Sequence, residues 1–128
     1  MKIIGIGVDI IKNKRIKLSI NNKKFITRIF GKNEISNSQK LINKISYLSK
    51  RFAAKEALVK ALGTGFRDGL NFSDIQIHNN NMGKPYYVLS TKIKNLIKKK
   101  KKVKSFNLFL SISDEKEYSI AFAIIQTM

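Results

Sequence analysis

The segment 46–62 constrains the fold most. Tyr47, Leu48, Phe52, Ala53, Ala54, Ala57, Leu58, Ala61 and Leu62 recur at helical spacing, and Gly63 follows where a helix would stop. So broad an apolar face has to be covered, and 128 residues leave room for one core. The flanking patterns supply the cover. Residues 3–11 are short and β-branched, which predicts a strand. On it Ile4, Ile6, Val8 and Ile10 share one face, expected to be core. Ile3, Gly5, Gly7 and Asp9 share the other, where small residues let another backbone or a ligand come close.

Residues 12–44 are polar with apolar spikes, predicting short helices broken near Asn21-Asn22 and Gly31. Alternation over 72–78, a turn at 79–83 and a second strand at 85–89 follow. Ser90 or Thr91 caps a helix carrying Ile93, Leu96 and Ile97, ending in lysines 98–102. Segments 106–113 and 118–125 flank an acidic turn as a hairpin. The expected fold is α+β, a mainly antiparallel sheet packed against one long helix and shorter ones, in a single domain over 1–128.

Cysteine is absent, which excludes a disulfide scaffold, a thiol nucleophile and a thiolate zinc site. The single histidine, His78, excludes a multi-histidine metal cage and is expected at the surface. Lysine and arginine number 26 against 8 acids, a formal charge of +18. Lys, Ile and Asn fill 54 of the 128 positions, and all three have AT-rich codons, so the charge fits a solvated surface as well as a basic face for an anionic partner. Arg15, Arg28, Arg51 and Arg67 escape that bias and mark specific roles better. The apolar run 3–11 is too short for a span or signal segment and contains Asp9, so a cytoplasmic protein is expected.

With few acids, each can be weighed. Asp114, Glu115 and Glu117 read as turn residues, Asp74 as a strand residue, Asp68 as loop, and Glu34 lies in a polar stretch. Asp9 and Glu56 differ, because each sits inside an apolar element. Glu56 shares a helix face with Phe52 and Lys60, as an ordinary Glu–Lys pair or as part of a site. Together Asp9 and Glu56 offer two hard oxygen donors, the chemistry of Mg²⁺ completed by water and phosphate oxygens. Lys60 can place a positive charge on such a phosphate, and the Gly63-Thr64-Gly65 loop allows close backbone approach. Gly5-Ile6-Gly7 is no dinucleotide fingerprint, and no Gly-x4-Gly-Lys-Ser/Thr pattern occurs.

Taken in order, several motifs are familiar: Gly5-Ile6-Gly7-Val8-Asp9-Ile10, Arg15-Ile16, Arg51-Phe52-Ala53-Ala54-Lys55-Glu56-Ala57, Lys60-Ala61-Leu62-Gly63-Thr64-Gly65, Gly83-Lys84-Pro85 and Leu110-Ser111-Ile112-Ser113. Over essentially its whole length the chain resembles the short 4′-phosphopantetheinyl transferases, the holo-[acyl-carrier-protein] synthase family of fatty acid synthesis. The resemblance implies magnesium-dependent transfer of phosphopantetheine from coenzyme A to a serine of apo-acyl carrier protein, releasing adenosine 3′,5′-bisphosphate. It implies Asp9 and Glu56 as magnesium carboxylates, and Lys60 at the pyrophosphate, these three being the catalytic set. It puts Arg51, Gly63, Thr64, Gly65, Lys84 and Pro85 near the coenzyme A nucleotide. A homotrimer with sites at subunit interfaces is also implied. Many members carry His where this chain has Asp114, so that residue's role does not transfer. A base is needed too, and Asp9 and Glu56 are both open to that role.

Carrier proteins are acidic, and no acid falls between Asp9 and Glu34. Docking is therefore expected on this basic segment through Arg15, Lys24, Phe25 and Arg28, with Phe25 either an apolar anchor or a core residue. The competing class, a small basic RNA-binding protein, needs aromatic or arginine readout on an exposed face. Here most aromatics fall at core-periodic positions and arginines are few, so neither nucleic acid nor a membrane is an expected partner.

Overall fold

The computed structural model describes residues 1–63 and 70–128. The chain opens with β1 (Ile3–Lys12) and continues through three short helices, α1 (Asn13–Ser19), α2 (Lys23–Ile29) and α3 (Lys32–Gln39), to the long α4 (Lys44–Leu62). A 3-10 turn, Phe72–Asp74, leads into the hairpin β2 (Ile75–Asn79) and β3 (Pro85–Leu89). Helix α5 (Thr91–Lys101) then precedes a second hairpin, β4 (Phe106–Asp114) and β5 (Tyr118–Thr127). β1 returns to pair with β5, giving an antiparallel sheet in the order β1-β5-β4 beside the separate β2-β3 pair. The architecture is the expected α+β one.

Local chemistry sets the boundaries. Asn22 and Asn43 accept the backbone N–H of Phe25 and of Ser46, starting α2 and α4, and Ser90 does the same for α5 through Ile93. α4 ends at Gly63, whose φ of 78° places it in the left-handed region that only glycine enters freely. α5 ends in four lysines, Lys98 to Lys101, favourably placed against the negative end of its dipole. One expected boundary moves: the strand after residue 70 begins at Ile75, because Phe72–Asp74 coils to bury the Phe72 ring.

α4 lies across the inner face of the three-stranded sheet. Ala53, Ala54, Ala57, Leu58 and Ala61 meet Ile11, Ala121, Ala123 and Ile125 in one buried cluster that continues to Ile75 and Ile77. β1 corrects the expectation. Its glycine face is the inner one, and the face of Ile6, Val8 and Ile10, expected in the core, points out, each residue more than half exposed. The reason is the thickness of α4. Its alanines bring its backbone up to the sheet, and side chains on β1 would not fit. Among the described residues no helix is long and apolar enough to cross a membrane.

Candidate active site

The seam between β1 and α4 is made of backbone. A Cβ on Gly7 would stand 1.9 Å from the Ala57 carbonyl oxygen, and one on Gly5 would stand 2.3 Å from that of Ala61. The strand thus runs against the helix, and the next inward residue after Gly7 is Asp9. Lys60, across the seam, donates to Asp9 Oδ1 at 3.1 Å and to the Val8 carbonyl at 3.1 Å. Asp9 is largely covered while Lys60 stays half exposed. The ammonium of Lys60 therefore goes to Asp9, not into a simple helical pair with Glu56.

Glu56 stands one turn before Lys60. Burial pushes its carboxyl above the usual range and nearby Asp9 pushes it further, while Lys60 and Arg15 oppose the shift. Three of the expected residues, Asp9, Arg15 and Lys60, thus bear electrostatically on a fourth, Glu56. Glu56 also opens into a cleft of about 440 Å³ walled by Phe25 and Arg28 of α2, Phe52 of α4, and Leu70 and Phe72. Phe25, half-buried, packs its ring 6.1 Å from that of Phe52 while lining the cleft. Lys24 is exposed on the same helix. A larger groove, about 960 Å³, lies elsewhere, between α1 lysines and the β4–β5 turn, where Asp114 accepts from Ser46 Oγ at 3.2 Å. None of Asp9, Glu56 and Lys60 lines it.

The residues expected near a nucleotide fall in two places. Arg51 is buried, stacks 3.7 Å over the Tyr47 ring and donates to Asn79 Oδ1 at 2.8 Å. Asn79 pairs with Pro85 across the hairpin and donates to the Gly83 carbonyl at 3.0 Å. Arg51, Lys84 and Pro85 are therefore gathered around Asn79. Gly63 lies twelve residues further along α4 than Arg51, about 18 Å at 1.5 Å per residue. Thr64 and Gly65 lie outside the described residues. His78 is half-buried, its Nε2 3.3 Å from Gln76 Oε1.

One cluster escaped the sequence reading. Glu34 of α3, expected to be an ordinary polar residue, is buried and accepts from Lys55 Nζ at 2.7 Å, from the Gly31 N–H and from the Ile77 N–H. Arg51 Nε lies 3.9 Å from its other oxygen. A signal was there: Lys55 stands seven residues after Leu48 and seven before Leu62, inside the apolar stripe.

Among the described residues no group of three or more metal-binding side chains occurs. Asp9 and Glu56 are a donor pair whose mutual repulsion a divalent cation would relieve. Two hard carboxylates, Glu56 facing the cleft and Asp9 holding only one oxygen to Lys60, suit Mg²⁺, which keeps water and takes phosphate oxygens as its other ligands.

Known proteins are similar to this chain over nearly its whole length. The family model of the 4′-phosphopantetheinyl transferase superfamily matches residues 5–123. A holo-[acyl-carrier-protein] synthase of Pelagibacter ubique is 57% identical over 126 residues, covering 98% of each chain, and one from Wigglesworthia glossinidia brevipalpis is 41% identical over 133 residues, covering 98% of this chain and 94% of its own. The crystal structure of the Neisseria meningitidis holo-[acyl-carrier-protein] synthase superimposes with a TM-score of 0.86 at 34% identity, covering 98% of this chain and 100% of that one. A Bacillus anthracis synthase in complex with CoA (3′,5′-ADP) gives 0.81 at 34% identity, with 98% of both chains covered.

Proposed function

Because the chain belongs to the 4′-phosphopantetheinyl transferase superfamily, we propose that it acts as a holo-[acyl-carrier-protein] synthase, moving phosphopantetheine from coenzyme A to a serine of an apo-acyl carrier protein. The observation that carries this reading is that Glu56, which feels the charges of the paired Asp9 and Lys60, lines a cleft walled by Phe25 and Arg28. In the reaction the serine oxygen bonds to the β-phosphorus of coenzyme A, and the bond from that phosphorus to the bridging oxygen breaks. Adenosine 3′,5′-bisphosphate leaves with the electron pair. Glu56, which faces the cleft, and Asp9 beside it are both open to the role of accepting the serine proton. Lys60 spends two of its three hydrogens on Asp9 and Val8, keeping one donor for a phosphate oxygen as charge builds on the leaving group. Asp9 and Glu56 would hold Mg²⁺, which when bound supplies a Lewis acid that draws charge from the pyrophosphate.

The carrier docks, in this reading, on α1 and α2 through Arg15, Lys24, Phe25 and Arg28. What supports it is that Phe25 and Arg28 wall the cleft into which Glu56 opens, so an acidic protein seated on them brings its serine to the carboxylate. The enzyme is also read as a homotrimer with shared sites. Two observations favour this. The outer sheet face aligns Ile6 with Ile124 and Phe109, Val8 with Phe122, and Ile10 with Ile120, an apolar surface that one chain leaves open. The nucleotide residues fall in two places, around Arg51 near the middle of α4 and at Gly63 at its C-terminal end, so a second copy can complete what one leaves divided. Fatty acid synthesis in the cytoplasm is the setting the resemblance implies.

The test is conversion of apo-carrier protein by the purified chain with coenzyme A, in Mg²⁺ and in chelator, read as the mass gain of one phosphopantetheine group. Conversion with Mg²⁺ alone is expected. Absence of conversion in both overturns the reading.

A further inference from the structure

Lys55 and Glu56 are neighbours that leave α4 in different directions. Glu56 opens into the cleft, whereas Lys55 enters the core and has no exposed surface. All three hydrogens of its ammonium are used: Glu34 Oε1 accepts at 2.7 Å, the Phe72 carbonyl at 2.9 Å, and the Ile75 carbonyl takes the third. Stability alone does not call for this arrangement, since an apolar side chain of similar volume fills such a site without the cost of desolvating an ion. What the ammonium does, and methionine cannot, is bind two backbone carbonyls of the segment 72–75. That segment carries the Phe72 ring, which lines the cleft and lies 6.2 Å from the ring of Phe52. Glu34 completes the tie by accepting from α3 at Gly31 and from β2 at Ile77.

We propose that Lys55 is a positioning residue for the transfer, its ammonium clamping the Phe72 and Ile75 carbonyls so that the cleft wall and Glu56 are fixed to the same helix. The inference rests on reading this cleft as the approach of the carrier serine. A wall freed to drift would misplace the hydroxyl relative to Glu56 without touching the groups that hold coenzyme A.

The test compares wild type with Lys55→Met and with Glu34→Gln/Lys55→Met. The single variant leaves the Glu34 charge without its partner and can fail to fold, so the double variant, which buries neither charge, carries the weight. Amide hydrogen exchange over residues 70–77 is read together with Tm and separate KM values for carrier and coenzyme A. Expected in the double variant are a Tm recovered from that of the single one, faster exchange over 70–77, a carrier KM raised by roughly tenfold and a coenzyme A KM that rises less, because Glu34→Gln also withdraws the carboxylate 3.9 Å from Arg51. A merely structural tie predicts instead that carrier KM recovers along with Tm. That result, or wild-type exchange over 70–77, overturns the proposal. Should wild type itself convert no carrier, the functional reading fails, and exchange still judges the clamp: wild-type rates refute it, faster rates support it.

Discussion

Gly7 lies so close to Ala57 that a methyl group on the glycine would stand 1.9 Å from the helix carbonyl oxygen. Neither side of this contact can rotate away, because both are main chain. Two residues later on the same strand face comes Asp9, so the contact sets where the carboxylate stands relative to Glu56 and Lys60.

Gly7→Ala is therefore expected to destabilise the fold by at least about 2 kcal/mol, toward the upper range for overpacking. It should also lower kcat in whatever fraction folds. Denaturant unfolding and steady-state kinetics check this; a variant with wild-type stability would mean that the seam yields.

Asp9→Asn and Glu56→Gln are expected to reduce turnover by orders of magnitude while leaving the fold intact. The Asp9–Lys60 pair is partly solvated, so breaking it changes stability by about 1 kcal/mol or less. Circular dichroism and the carrier conversion assay at limiting Mg²⁺ read the two effects separately. Full activity in either variant removes that carboxylate from the site.

Glu56 also gives a pH dependence. Its folded proton affinity is raised above the ordinary carboxyl value of 4.5, so between that value and the raised one the folded chain holds more protons than the unfolded chain. The contribution to stability is full below 4.5 and is lost as pH rises through the folded value. Glu56→Gln has no such loss. In chelator above neutrality its Tm is expected to exceed that of wild type, and added Mg²⁺ is expected to stabilise wild type more than the variant. A lower Tm for Glu56→Gln under those conditions contradicts the electrostatic account.

Arg28→Glu is expected to raise the carrier KM several-fold at low ionic strength, leave the coenzyme A KM unchanged, and lose its effect in high salt. Arg15→Glu shares this behaviour and additionally shifts the pH profile upward, because Arg15 helps hold down the Glu56 proton affinity. Unchanged carrier KM in both variants moves the docking surface elsewhere.

On the outer sheet face, Phe122→Glu should shift the sedimenting species from three times the 14.6 kDa chain mass toward a single chain, with loss of activity. An active monomer in wild type or an unaltered assembly in the variant rules out this face as the interface.

Much of this was legible in the residues. Leu48, Phe52, Leu58 and Leu62 announce α4 and Gly63 marks its end, whereas its start at Lys44, two residues before the expected one, rests on an Asn43 cap that the apolar spacing does not show. Asp9 and Glu56 stood out because an acid inside an apolar element needs a reason. The orientation of β1 was not legible. Alternation says that Ile6, Val8 and Ile10 share a face, but not which face the core takes, and only the alanine pattern of α4 shows that glycines can be the buried set. Glu34 was hidden for another cause: Lys55's place in the apolar stripe signals a buried cation, but which acid on another helix meets it is not written in local composition. Arg51 turned out to be held by Tyr47, one turn earlier on the same helix, and by Asn79 of the β2–β3 hairpin, a contact that helical spacing does not foretell.

The glycine seam has a consequence for heat. Side chains in a warming core begin to hop between rotamers well before the chain comes apart, and sites built on packed side chains blur at that stage. Here the spacing between Asp9 and α4 is written in peptide bonds, which have no rotamers to hop between. Catalytic competence is thus expected to persist until the strand lifts off the helix, so inactivation and global melting should share one temperature.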